Sequence, residues 1–351
     1  MRRLLFALLG TAIATILLGA IFRSALLPYE WGCDDCTAKI NHLRDHRTTY
    51  DTFIFGDSRV LGHIDPEALD QEVGRVRSIS SFNFGIASLN PLETLYLYEH
   101  LLRDDNLRPR FVLFQVNLTP LPEKIPYNTS RRYWMTLPLT SQAMRASRET
   151  SRNAIDLLIN LKNYAAGCLI RFLGINAVDG WRKISLYAPS PALLGRGGRG
   201  FRILDDQMHQ EWLQERVSDF HKNTKQYSNM TATDTAIVHP RCIKTFDAHL
   251  RIYERLMRLS EEYGIYPIFF PPFPAWNEDP LCILKRLPPE HQLSLIRMAD
   301  APQVFTQDQF VYSNHLNERA ARMYTRLFAK TFSDLLKRIG TGAVIAPAPA
   351  P

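Results

Sequence analysis

The sequence predicts an α/β fold with a doubly wound, mostly parallel sheet, an N-terminal transmembrane helix and a large insertion. Three observations carry this prediction. Strand-length apolar runs alternate with segments of helical periodicity, the pattern of βα units around a parallel sheet. The clearest run, F-V-L-F-Q-V at 111–116, is continuous rather than alternating, as expected for a strand buried on both faces. Before all of these stands an uncharged stretch from Leu4 to Phe22.

Met1-Arg2-Arg3 precedes that stretch and Arg23 closes it. Its nineteen residues would form a helix of roughly 28 Å, about the hydrocarbon thickness of a bilayer. The apolar region of a cleavable signal peptide is shorter, about 7–15 residues. Residues 1–23 are therefore expected to be an uncleaved single-pass anchor in the inner (cytoplasmic) membrane. Its arginines should hold the N-terminus in the cytoplasm and leave the rest periplasmic or extracytoplasmic. Residues 24–50 read as a polar juxtamembrane stem.

The α/β domain is expected over residues 51–340. Thr52 to Phe55 reads as a short buried strand, followed by the turn Gly56-Asp57-Ser58. Ile79 to Phe84 reads as a second strand ending at Gly85. Asn90-Pro91 is a helix-start signal, with a capping residue before proline at the first helical position. The third strand is the 111–116 run. Alternation then stops for about 118–240, read as an insertion or lid with a helical hairpin around Ala154 to Leu173. The rhythm resumes with an apolar stripe at Phe246, Leu250, Tyr253, Leu256 and Met257, ending at Gly264. Ile265 to Phe270 is a further buried strand. A helix near Pro289–Ala299, a short strand near Gln303–Thr306 and a final helix to about Ile339 are expected next. The Pro/Ala tail, 341–351, reads as disordered.

Composition excludes some classes. Hydrophobic residues at 46% and charged residues at 22% argue against extensive disorder. A net charge of +7 suits anionic lipid or acidic polymer, but it is too diffuse to suggest nucleic acid. Five cysteines lie after the anchor, where disulfides are chemically allowed. An odd number leaves at least one thiol free or intermolecular. Cys33 and Cys36 form a C-x2-C pair, and a Cys242–Cys282 bridge is open, although sequence does not assign connectivity. Cys168 reads as a buried small hydrophobe.

In doubly wound sheets, ligands bind beyond the carboxyl ends of the strands. Ser58, Gly85, Asn117 and the loop before His315 all fall there. A serine opening a helix lies near backbone N–H groups carrying partial positive charge. A neutral histidine in reach can take its proton and return it to a leaving group. The amides of Ser58 and Gly85, with the side chain of Asn117, suit a tetrahedral oxyanion.

The order of G-D-S at Gly56–Ser58, the glycine of N-F-G-I-A-S at Gly85, Asn117 after the third strand and H-L-N at His315 resembles the SGNH (GDSL-like) hydrolase superfamily. The details F-I-F-G-D-S-R-V, an I-D-P segment and a Pro-x-Glu helix are similar to its membrane-anchored branch, which includes polysaccharide O-acetylation proteins. The resemblance covers 50–120 and 245–335. It implies Ser58 as nucleophile, His315 as general base, and Ser58, Gly85 and Asn117 as oxyanion donors. It also implies acetyl transfer, with a multi-spanning membrane O-acyltransferase as a partner. The family's acidic residue three positions before the histidine is Tyr312 here. Three readings stay open: Asn314 or a backbone carbonyl orients His315; Asp308 or Asp300 reaches it; or the domain is catalytically weak. Asp57 reads as a turn-holding residue.

Other patterns carry less. Gly195, Gly197 and Gly200 satisfy G-x-G-x-x-G, but no strand precedes them, so a flexible basic loop with Arg196, Arg199 and Arg202 is expected. Cys33, Cys36, His42 and His46 have ligand-like spacings, but the gap between the halves is short for a zinc module. No metal or cofactor is expected. Trp134, Trp181, Trp212 and Trp276 suit either core or a sugar groove. The sequence thus predicts an esterase or O-acyltransferase acting on a cell-envelope or exported polysaccharide. The alternative is an inactive protein of the same fold that serves assembly or polysaccharide binding. A lipid-directed hydrolase, with the arginine loop holding head groups, is a third reading.

Overall fold

Five-residue runs of large apolar side chains in this chain pair as parallel strands because helices cover both of their faces. The computed structural model describes residues 2–25, 34–103, 106–118, 133–151, 153–172, 190–203, 210–236, 242, 246–275 and 279–340. They divide into two compact units, one formed from 1–40 and 120–190 and the other from 41–119 and 191–351. The Pro/Ala tail, Cys33, Trp181 and Trp276 lie outside the described residues.

The first unit begins with α1 (Arg2–Ala25). It is long and apolar enough to cross a membrane, and Leu4, Phe6, Leu9, Ile13, Leu17 and Leu18 are exposed on it. Next comes α2 (Asp34–Asp45), whose last turn belongs to the second unit.

The second unit holds the sheet. In chain order, β1 (Thr52–Gly56) leads into α3 (Ser58–His63) and α4 (Pro66–Val73). Then come β2 (Ser81–Gly85), α5 (Pro91–Arg103) and β3 (Phe111–Gln115). The first unit interrupts with α6 (Leu137–Thr150) and α7 (Ala154–Phe172); the stretch expected as a hairpin around Ala154–Leu173 is the single helix α7 over its described residues, and it pairs with α6. The second unit resumes with α8 (Glu211–Lys222), α9 (Thr224–Ala236), α10 (Asp247–Glu262), β4 (Tyr266–Phe270) and α11 (Asp279–Leu284). Two short strands, β5 (Phe310–Tyr312) and β6 (His315–Leu316), precede the long α12 (Glu318–Gly340).

The sheet order is β2-β1-β3-β4, all parallel. Alternate strand residues face opposite layers. Ile54, Leu113 and Ile268 join a core with Phe328 and Phe332 of α12. On the other face Phe55, Phe114 and Phe269 stack on one another, and Tyr98 of α5 and Tyr253 of α10 meet them edge-on. The direction of winding reverses between β1 and β3, the place where open α/β sheets bind ligands.

Two expected elements differ. The segment expected as a helix near Pro289–Ala299 has single 3₁₀ turns at its ends and runs extended between them. Leu293 N–H donates to Phe269 O at 2.9 Å, so this stretch completes the edge of β4 instead of coiling. The strand expected near Gln303–Thr306 is a tight turn, with the Val304 and Phe305 amides both donating to Ala301 O. Their apolar side chains reach the core from that turn. Cys242 and Cys282 form a disulfide.

Candidate active site

The turn after β1 is built around two polar contacts of Asp57. The chain leaves the sheet at Gly56, where a side chain would collide with Val60 and Gln115. Asp57 follows in extended conformation and caps α3, its carboxylate accepting the Arg59 N–H at 2.9 Å. The Asp57 amide donates to Gln115 Oε1 at 3.0 Å, which ties the turn to the end of β3. Ser58 is then the first residue of α3, and its amide has no acceptor within the helix.

His315 reaches this serine from the far end of the chain. Its Nε2 lies 3.0 Å from Ser58 Oγ, across a sequence separation of 257. The β5–β6 hairpin carries it, turning through Ser313 in the left-handed region (φ 48°). The hairpin is fixed on both sides. Leu316 N–H donates to His63 Nε2 at 3.1 Å, and Asn317 N–H donates to Gln309 O at 2.9 Å. Asn317 then caps α12 by accepting from Ala320 N–H at 3.0 Å.

The other nitrogen of His315, Nδ1, is buried and has no hydrogen-bond partner. Tyr312, at the position of the expected acid, lies against the imidazole with ring centroids 4.8 Å apart. The Arg216 guanidinium sits 5.8 Å from the Tyr312 ring and 5.5 Å from that of Trp212. None of the expected orienting side chains bonds to Nδ1. Asp308 accepts from Thr306 Oγ1 and Gln309 Nε2. Asp300 pairs with Arg297 at 2.6 Å, and Asn314 makes no bond to His315.

Gly85 packs where only a glycine fits, because an added Cβ would lie 2.3 Å from Leu61 N. Its own amide donates to Asn83 Oδ1 at 2.8 Å, so that N–H is already engaged. Asn83 Nδ2 in turn donates to Val60 O and Ile64 O, both at 2.7 Å, fastening α3 to β2. Asn117 is buried just past β3, and Tyr253 OH brackets its backbone by bonding both its N and its O. Asn117 follows β3 two residues after Gln115, as Ser58 follows β1 two residues after Gly56. The Asn117 amide makes one long bond, Nδ2 to Leu89 O at 3.5 Å, and Oδ1 has no partner. It therefore keeps donor capacity for a ligand.

The electrostatics follow from burial and two arginines. Burial alone would raise the Asp57 pKa, but the charge and hydrogen bonds of Arg59 outweigh it and hold the carboxyl below its ordinary value. The pair closes at 2.5 Å. Burial lowers the His315 pKa to about 4; Asp57 opposes this, while Arg59 and Arg216 add to it. His63 is held well below its ordinary value, first by burial and then by the neighbouring His315 and Arg59. Both imidazoles are therefore neutral at pH 7, as a general base must be.

Searches against protein-family models, curated proteins and solved structures found no match. The geometry of the site therefore carries the functional reading.

The remaining candidates separate from this centre. The glycine-rich loop packs beside β2. Arg199 O accepts from Asn83 N–H, and the Arg199 guanidinium pairs with Asp70 at 2.5 Å. Gly195 has φ +69°, and a side chain there would strike Phe201 O. His42 stacks on His46 and its Nε2 lies 3.0 Å from Tyr50 OH. Among the described residues no three metal-ligating side chains cluster. Cys168 is an unpaired, partly buried thiol in α7. Trp134 is buried and Trp212 is exposed.

Sequence reasoning missed Gln115, Asn83, His63, Tyr253 and Arg216. For the first two a signal existed: each is the lone amide in an otherwise apolar strand, where a buried polar group requires partners. His63 follows Ser58 by five residues in the same short helix, which alone says nothing of its contact with Leu316. Arg216 comes from the insertion, and no local pattern links it to Tyr312.

Proposed function

We propose that the protein is a membrane-anchored, extracytoplasmic serine esterase or O-acyltransferase acting on a cell-envelope or exported polysaccharide. The observation that supports this reading is the 3.0 Å contact between His315 Nε2 and Ser58 Oγ, made by a histidine that is neutral at pH 7. The apolar α1 is consistent with anchoring at a membrane.

In the first half-reaction, Ser58 Oγ attacks the carbonyl carbon of the acyl donor as its proton passes to His315 Nε2. The oxyanion meets the free first amide of α3 and the spare N–H of Asn117. Collapse breaks the bond to the leaving oxygen, which takes the proton from His315, and leaves an acyl-Ser58 ester. In the second half, a water or sugar hydroxyl loses its proton to His315 and attacks the ester. Ser58 recovers the proton when it leaves. Arg59, already paired with Asp57, holds the turn and makes no contact with the reacting atoms.

One observation favours a second reading, in which the fold serves assembly or polysaccharide binding without turnover. The buried Nδ1 of His315 has no hydrogen-bond acceptor, so the imidazolium that forms during the reaction gains only the through-space charge of Asp57. Hydrolysis of an activated acetyl ester by the purified full chain separates the two. Turnover that is lost in Ser58→Ala supports the enzyme, and equal rates for both proteins support the binding protein.

A further inference from the structure

In a helix packed on a water-soluble domain, apolar residues face inward and polar residues outward. Helix α7 does the reverse. Asn160, Tyr164 and Gly167 face inward, and the Tyr164 hydroxyl is buried without a hydrogen-bond partner. Ile155, Leu158, Ile159, Leu169 and Phe172 face outward, 45–69% exposed. With Lys162 and Ala165 they form one stripe at three- and four-residue spacing along the whole helix. Lysine fits such a stripe, since its stem covers apolar surface while the ammonium reaches water or a headgroup.

A groove of about 570 Å³ opens beside this stripe, between α6 and α7. Met135, Leu137, Met144, Leu169 and Phe172 give it an apolar wall, and Arg171 stands at its edge. Leu169 and Phe172 belong to both surfaces, so the stripe and the groove are continuous. The inner face of the hairpin is closed by Met135, which packs against Gly167.

The covering partner follows from what this unit is attached to. The eight residues between α1 and α2 can span at most about 30 Å. Cys36 of α2 contacts Tyr133, with Sγ and OH 3.6 Å apart. Tyr133 O accepts from Arg171 Nε at 2.6 Å. The C-terminal end of α7 is thereby fastened, through two side-chain contacts and one short connection, to the end of a helix of bilayer length. Charge agrees: Arg145, Arg148, Lys162 and Arg171 outnumber Glu149 and Asp156 on the hairpin.

We infer that the α6–α7 hairpin lies in the membrane interface, with the outward stripe of α7 among lipid acyl chains and the groove receiving one of them. A helix that lies in the interface combines an apolar stripe with flanking cations. The inference rests on the membrane anchoring in the proposed function but not on the reaction at Ser58.

Electron paramagnetic resonance of the full chain in phosphatidylethanolamine–phosphatidylglycerol vesicles tests it. One nitroxide is placed on the native Cys168 of the unsubstituted chain, and a second on Leu158→Cys in a Cys168→Ala background. The expected result at both sites is relaxation by oxygen several-fold stronger than by a water-soluble nickel chelate. Relaxation by the chelate equal to or above that by oxygen would place the face in water and overturn the inference. Dipolar broadening between labels would assign the face to a second copy. Protection from both reagents would mean that protein covers it. Either result also overturns the inference.

Discussion

Tyr312 lies against His315 with ring centroids 4.8 Å apart and 29° between the ring planes. An aromatic face therefore covers the imidazole, while its Nδ1 has no hydrogen-bond partner. Stacking fixes the ring but accepts no proton from Nδ1. Burial keeps His315 neutral far into acid, and no hydrogen-bond partner meets Nδ1 when the ring is charged.

The first prediction concerns pH. A general base works only when unprotonated, so activity falls as pH drops through the pKa of His315. Burial first, then Arg59 and Arg216, lowers that pKa to about 4 against the pull of Asp57. The acid limb of kcat/KM for an activated acetyl ester should therefore lie near pH 4 rather than near the ordinary imidazole value of about 6.5. A pH–rate profile checks this, and a limb at 6.5 would contradict it.

Tyr312→Asp introduces a carboxylate three residues before His315. It should accept the Nδ1–H of His315, favour the imidazolium and move the acid limb upward. The rate at neutral pH should rise by about tenfold or more, since an orienting carboxylate stabilises the charge that forms. Unchanged rate and profile would show that orientation of His315 is not limiting.

His63 governs stability rather than chemistry. Its folded pKa lies well below the ordinary value. Between the two values the unfolded chain binds the extra proton, so stability is complete above about pH 6.5 and lost as pH falls below it. The slope is at most about 1.4 kcal/mol per pH unit for this one proton. His63→Gln should flatten that slope in urea unfolding between pH 5 and 7. It should also loosen the Leu316 amide, seen as faster hydrogen exchange there.

Gly85→Ala tests the packing of the site's floor. The added methyl would meet the Leu61 backbone at 2.3 Å, where neither strand nor helix can yield cheaply. Overpacking of this kind costs about 1–3 kcal/mol, which would appear as a lower urea midpoint.

The four main strands were legible because burial on both faces makes their apolar runs continuous, with no helical period to compete. The 292–297 segment was misread because its partner is the edge of β4, which local pattern does not reveal. β5 and β6 are too short to carry a period at all, although they are what aim His315. Ser58 and His315 stood out by residue type and order. The engagement of the Gly85 amide by Asn83 did not, since a glycine reads the same whether its N–H faces a ligand or a neighbour. Nor could sequence spacing show the unpartnered Nδ1, which depends on where Asp300, Asp308 and Asn314 point in three dimensions.

The central claim is that His315 makes Ser58 a nucleophile. Treating the full chain with a fluorophosphonate and mapping the adduct by peptide mass spectrometry tests it most directly. One phosphonylated residue, Ser58, is expected, with labelling abolished in Ser58→Ala and slowed at least about 100-fold in His315→Ala. An unlabelled wild-type chain, or labelling that survives in Ser58→Ala, would contradict it.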